Sequence, residues 1–120
     1  LREDLTFIHA PSVYDFRKEF LFYGPVSDLV PSTPVFEMYP IGFTTMATAL
    51  NEAGFKVRII NLASMMLNDQ KLDAEKVIAK LDSAVFGIDL HWLPHAQGAL
   101  EVAKLVRKLH PEAKILMGGF

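Results

Sequence analysis

The residues able to do chemistry in this 120-residue chain are few, and the densest group falls in Ala84 to Ala99, read AVFGIDLHWLPHAQGA. His91 and His95 are four apart, a spacing that can set two imidazoles on one helical face for a metal. Pro94 intervenes, however, and His91 precedes the helical pattern. No cysteine or obvious carboxylate completes a ligand set, so a helix-cap hydrogen bond or a polar contact to a cofactor suits the pair better. Trp92, the only tryptophan, offers a flat apolar cover for a ligand or an interface, or packs beneath a neighbouring loop. Gly118 and Gly119 withdraw side chains where a ligand or another backbone comes close, with a tight turn as the alternative. Asp15, Asp28, Glu37 and Asp89 have no spacing that marks an acid and base pair, and no G-x-G-x-x-G, Walker loop or G-x-S-x-G occurs. No self-sufficient catalytic set is visible.

Strands and helices must bring these residues together. Val85 to Ile88 is apolar without alternation, as in a parallel strand buried on both faces. Asp89 to His95 then lies at the carboxyl end of a central strand, the rim where open α/β sheets bind ligands. Leu5 to His9 is the first strand, and His9, Ala10, Pro11 and Ser12 form its rim loop. Phe16, Phe20 and Tyr23 have helical spacing, which predicts a short helix over Val13 to Tyr23, ended by Gly24 and Pro25. Pro31, Ser32, Thr33 and Pro34 interrupt any further element, leaving a long loop to Tyr39 that serves as a lid or interface, or caps the sheet. The wider aromatic set (Tyr14, Phe16, Phe20, Phe22, Tyr23, Phe36, Tyr39) is too large for that loop alone to hide, which suggests a partner domain or a large cofactor.

Ile41 to Ala53 reads as a helix with Phe43, Met46, Ala47 and Leu50 on its buried face, opened by Pro40 and closed by Gly54 and Phe55. Lys56 to Asn61 is the second strand and Leu62 to Leu72 a partly helical loop. Asp73 caps a third helix that faces the sheet through Val77, Ile78 and Leu81. Pro94 to His110 is the last helix, buried through Ala99, Val102, Ala103, Val106 and Leu109, and Lys114 to Met117 is the fourth strand.

Strands alternating with helices predict an α/β, Rossmann-like or flavodoxin-like three-layer sandwich. Its parallel sheet has four strands in the order 2-1-3-4 and is expected to be truncated before a further strand. With the first and third strands central, the loops His9 to Ser12 and Asp89 to His95 face each other across a crevice flanked by Asn61 and the glycine pair. A composition 51% hydrophobic and 22% charged supports a real core. The net charge of -2, with scattered basic residues, argues against nucleic acid and anionic membranes as partners. No apolar run approaches the roughly 20 residues that span a bilayer, and the start is not a signal peptide, so the cytoplasm is expected. The absence of cysteine excludes disulfides, zinc-thiolate sites and any iron-sulfur cluster held by this chain. A start at Leu1 without Met, and an end directly after a strand pattern, suggest residues 1–120 are one domain of a longer protein.

Several strings carry a resemblance when taken in order: I-H-A-P-S, Y-P-I-G-F, A-L-N-E-A-G-F-K-V-R-I-I-N-L, V-F-G-I-D-L and A-K-L-V-R-K-L-H-P-E-A-K-I-L-M-G-G. Together they span nearly the whole chain and resemble the amino-terminal cobalamin-binding domain of radical SAM enzymes. The resemblance implies a domain that holds cobalamin at its carboxyl rim, not catalytic by itself. It also implies a barrel domain of the same chain, beyond Phe120, carrying an iron-sulfur cluster and S-adenosylmethionine. Ligand contacts are then expected at Ser12, at Leu90, His91, Trp92 and His95, and at Gly118 and Gly119. The D-x-H-x-x-G motif of other cobalamin proteins is missing after the first strand, where His9, Ala10, Pro11 and Ser12 stand, so no cobalt ligand is transferred to His91. The alternative is a cobalamin-free interaction domain that uses its aromatics to dock the barrel. A phosphorylated receiver domain shares the architecture but lacks the acidic cluster it would need.

Overall fold

The computed structural model describes residues 2–18, 40–90 and 95–118. Four parallel strands form one sheet: β1 (Glu3–His9), β2 (Val57–Asn61), β3 (Ser83–Asp89) and β4 (Lys114–Gly118). Their order is β2-β1-β3-β4, as the alternation of elements predicts. Helices α1 (Ile41–Glu52), α2 (Leu62–Asn68), α3 (Ala74–Ala79) and α4 (Ala96–Leu109) connect them. The long loop expected before α1 lies outside the described residues, as do His91, Trp92 and Gly119. Among the described residues no helix is long and apolar enough to cross a membrane.

Among the described residues the two faces of the sheet are covered unequally. Ile8, Ile60, Phe86 and Ile88 point to one side, where Met66 of α2, Ile78 of α3 and Val102 and Val106 of α4 complete the main core. On the other side a smaller cluster joins Phe7 to Phe43 and Ala47 of α1, with the two phenyl rings stacked at 4.4 Å. That stacking contributes about 1 kcal/mol beyond area burial. Met46, expected on the buried face of α1, is 46% exposed, because α1 meets the sheet only along the narrow line of Phe43, Ala47 and Leu50.

Local signals set the helix ends. Asp73 accepts the Lys76 N–H and caps α3 as its position predicts, and Asn61 at the end of β2 accepts the Ser64 N–H and starts α2 inside the expected loop. Gly54 adopts φ +95° just past α1; Phe55 N–H reaches Leu50 O, and Gly54 N–H reaches Asn51 O, closing that helix.

The predicted helix over Val13 to Tyr23 is not formed in its described part. Residues 14–18 form a turn, in which the Asp15 carboxylate accepts the Arg17 N–H and the Asp15 carbonyl accepts the Lys18 N–H. Side-chain bonds of this kind compete with the helical ladder, and long-range ties described below hold the segment in its own path.

Candidate functional site

At the carboxyl rim, β1 and β3 each end in a polar residue at the same depth. Ile8 pairs with Ile88, which sets His9 beside Asp89, and both are buried. His9 Nδ1 bonds Asp89 Oδ2, while Asp89 Oδ1 accepts the Ala10 N–H at 3.3 Å. The His95 ring, also buried, lies 6.0 Å from the His9 ring. The base of the crevice expected between the two loops is thus filled by the chain's own side chains.

Residues 10–18 continue as a strap laid across the first turn of α4. Gly98 N–H donates to Ser12 O at 3.0 Å, and a Cβ on Gly98 would stand 1.7 Å from Pro11 O. Gln97 reads the strap backbone twice: its Oε1 accepts the Tyr14 N–H at 2.8 Å, and its Nε2 donates to Tyr14 O at 3.2 Å. Farther along, Arg17 makes two bonds to the Asp15 carboxylate, and its Nη1 reaches the carbonyls of Asp69, Gln70 and Leu72 between α2 and α3. The Tyr14 hydroxyl, which packs against the main core, has its pKa raised by burial and then by the Asp15 charge.

Asp15 is pulled in two directions. Burial raises its pKa, but the Arg17 side-chain and backbone bonds and the Arg17 charge outweigh it, so the carboxyl lies below its ordinary 3.8. A depressed carboxyl contributes stability above its unfolded pKa and loses it as pH falls through the folded one. Arg17→Ala should therefore cost about 1–2 kcal/mol at neutral pH, and the difference from wild type should narrow below about pH 4. Urea melts across that range check this; a difference independent of pH would refute it.

The β3–β4 half of the rim differs from the β1–β3 half. Leu90 N–H donates to Gly118 O at 2.7 Å, extending the pairing of Asp89 with Gly118, and Leu90 is half-buried against the main core. Gly118 is exposed, and among the described residues nothing lies within 4 Å of where its Cβ would be. The glycines at 87 and 98 are explained by neighbours, the Phe7 ring and Pro11. Neither a described neighbour nor a positive φ explains Gly118.

Of the residues expected to contact a ligand, Ser12 is buried in the strap, Leu90 and Gly118 adjoin each other on the open half, and His95 is buried beneath the strap side. His95 stands at the N-cap of α4 without a side-chain cap bond, so the expected capping role is not what it performs. His91, Trp92 and Gly119 fall outside the described residues. Sequence reading missed the pairing of His9 with Asp89, although two neighbouring apolar runs that both end in titratable residues were a usable signal. Gln97 and Arg17 offered no such signal, since their partners are remote in the chain. Among the described residues no group of three or more metal-ligating side chains could hold an ion.

No curated protein and no solved structure matches the chain. A family model described as the B12 binding domain matches residues 28–120, leaving β1 and the strap outside the match. With that span covering α1 to β4 and a parallel sheet in the order 2-1-3-4, the chain belongs to the B12-binding-domain family.

Proposed function

We propose that this chain binds cobalamin on its carboxyl rim, seated over the ends of β3 and β4 with the strap as a side wall. The observation that carries the reading is Gly118: a glycine with no described residue within 4 Å of its Cβ position, inside the family match, at the rim where α/β sheets take ligands. The residues present fit the group on this half of the rim, because a bulky ring system needs room, and Gly118 brings no side chain there while no described residue lies within 4 Å of its Cβ position. Leu90 supplies an apolar floor beside Gly118, and the strap around the buried Ser12 borders the site. His91, Trp92 and Gly119 complete the proposed contacts, with Trp92 covering the ligand; His95, expected beside them, is buried and takes no place at that surface. Cobalamin, when bound, supplies a cobalt centre able to carry alkyl groups or electrons. The chain's own part is to bind and orient it, while the buried His9 and Asp89 pair joins the two central strands beneath.

In this reading residues 1–120 are one domain of a radical SAM protein, and the iron-sulfur cluster and S-adenosylmethionine reside in a barrel domain of the same chain. Ile41 and Leu116 support such a partner. They are 70% and 63% exposed, and both belong to the side of the sheet that the described residues cover less, where Leu116 pairs with Gly87 beside Phe7. Apolar side chains of that size left in solvent fit a docked neighbour.

Titration of hydroxocobalamin followed by visible absorbance tests the reading, with this chain and a longer form including the barrel in parallel. Saturable uptake is expected. Gly118→Trp should weaken it at least tenfold while leaving stability within about 0.5 kcal/mol, since the position is exposed. Uptake by neither form would refute cobalamin binding, and equal affinity in the variant would remove Gly118 from the site.

A further inference from the structure

We propose that Gln97 is a positioning residue for the rim site, acting through the strap to set the wall that a ligand over β3 and β4 meets. The proposal rests on the cobalamin reading above and concerns a wall that lies outside the family match.

Gln97 is the second residue of α4, and its side chain does what a neighbouring strand would do for Tyr14, offering an acceptor to the N–H and a donor to the C=O. A carboxamide supplies both at once; an ionised carboxylate has no donor and an ammonium no acceptor. The residue type is therefore matched to the task. One position on, Gly98 takes Ser12 O and admits Pro11 in the space its missing side chain leaves. Ser12 is thus fixed from both directions, by its own carbonyl and by the grip on Tyr14. Arg17 holds the far end to the segment between α2 and α3. Without Gln97 the strap keeps its ties at Ser12 and Arg17 but loses the one between them. A ligand that uses this wall must then order it on binding, which weakens affinity without removing any direct contact. Ordering of the wall before binding is the contribution assigned to Gln97.

The test compares wild type with Gln97→Ala and Gln97→Glu. Hydroxocobalamin is titrated in the cold, where the folded state persists, with visible circular dichroism of the bound chromophore recorded alongside. Amide exchange over residues 10–18 is measured with and without ligand. Alanine should raise Kd about tenfold, change the visible dichroism and speed exchange at Tyr14. Glutamate, which keeps the acceptor for the Tyr14 N–H, should fall between the two. A purely structural role would lower the melting temperature but leave Kd and dichroism unchanged in both variants, which overturns the inference. Should alanine not fold, glutamate and the wild-type exchange decide: the ligand should slow exchange at Tyr14 further, and no slowing overturns the inference. Failure of wild type to bind hydroxocobalamin refutes instead the reading on which the proposal rests.

Discussion

Replacing Gly98 by alanine is expected to destabilise the fold by about 3 kcal/mol, read as a fall in the urea midpoint. Helix preference alone argues the other way, since alanine is favoured over glycine inside a helix by about 1 kcal/mol. The clash decides the sign. The new Cβ would stand 1.7 Å from the Pro11 carbonyl oxygen, and the carbonyl carbon and that of Ser12 follow at 2.8 and 3.0 Å. These are backbone atoms, unable to rotate aside. Either α4 lifts from the sheet, opening the core around Ala99 and Val102, or the strap leaves its seat and bares His9 and Asp89. Gly42→Ala serves as the control, because nothing lies within 4 Å there and helix preference should act unopposed. A Gly98 variant as stable as wild type would mean that the strap is not seated on α4.

Asp89→Ala should cost about 3 kcal/mol, and Asp89→Asn about half as much. The carboxylate serves two partners that lie away from solvent, the His9 ring and the Ala10 N–H. Alanine leaves both without this acceptor, and a buried group deprived of its partner retains its full desolvation penalty. Asparagine keeps an oxygen for Ala10 and presents an amide to the ring, which can accept if its proton moves to Nε2. Chemical denaturation of the two variants ranks them; equal losses would show that charge, not hydrogen bonding, is what His9 requires.

The fold was largely legible because its determinants are local or periodic. Val85 to Ile88 lacks alternation, and β3 indeed presents Phe86 and Ile88 to the main core and Gly87 to Phe7. Asp73 and Gly54 act where a cap and a stop were expected. The geometry around the candidate site was less legible. Gly118 stands out by type and place, whereas Gly98 looks like an ordinary helical residue until Pro11 is brought against it. The strap was misread for a physical reason: Phe16, Phe20 and Tyr23 have helical spacing, but the path of residues 13–18 is set by Gln97 and by carbonyls after α2, and no local pattern encodes partners so distant. Met46 was misplaced because periodicity gives a face but not its width.

The central place of β1 has a bearing on the order in which the chain is made. Leu5 takes its backbone partners at Val57 and Val85, about fifty and eighty residues later. During synthesis the segment LTFI therefore emerges before both of its described sheet partners, β2 and β3, and waits for them. Pairings this remote make folding slow, and an apolar strand kept waiting is open to association with other nascent chains. Charged residues sit immediately before it, at Arg2, Glu3 and Asp4, where they can keep such a segment in solution until its partners arrive.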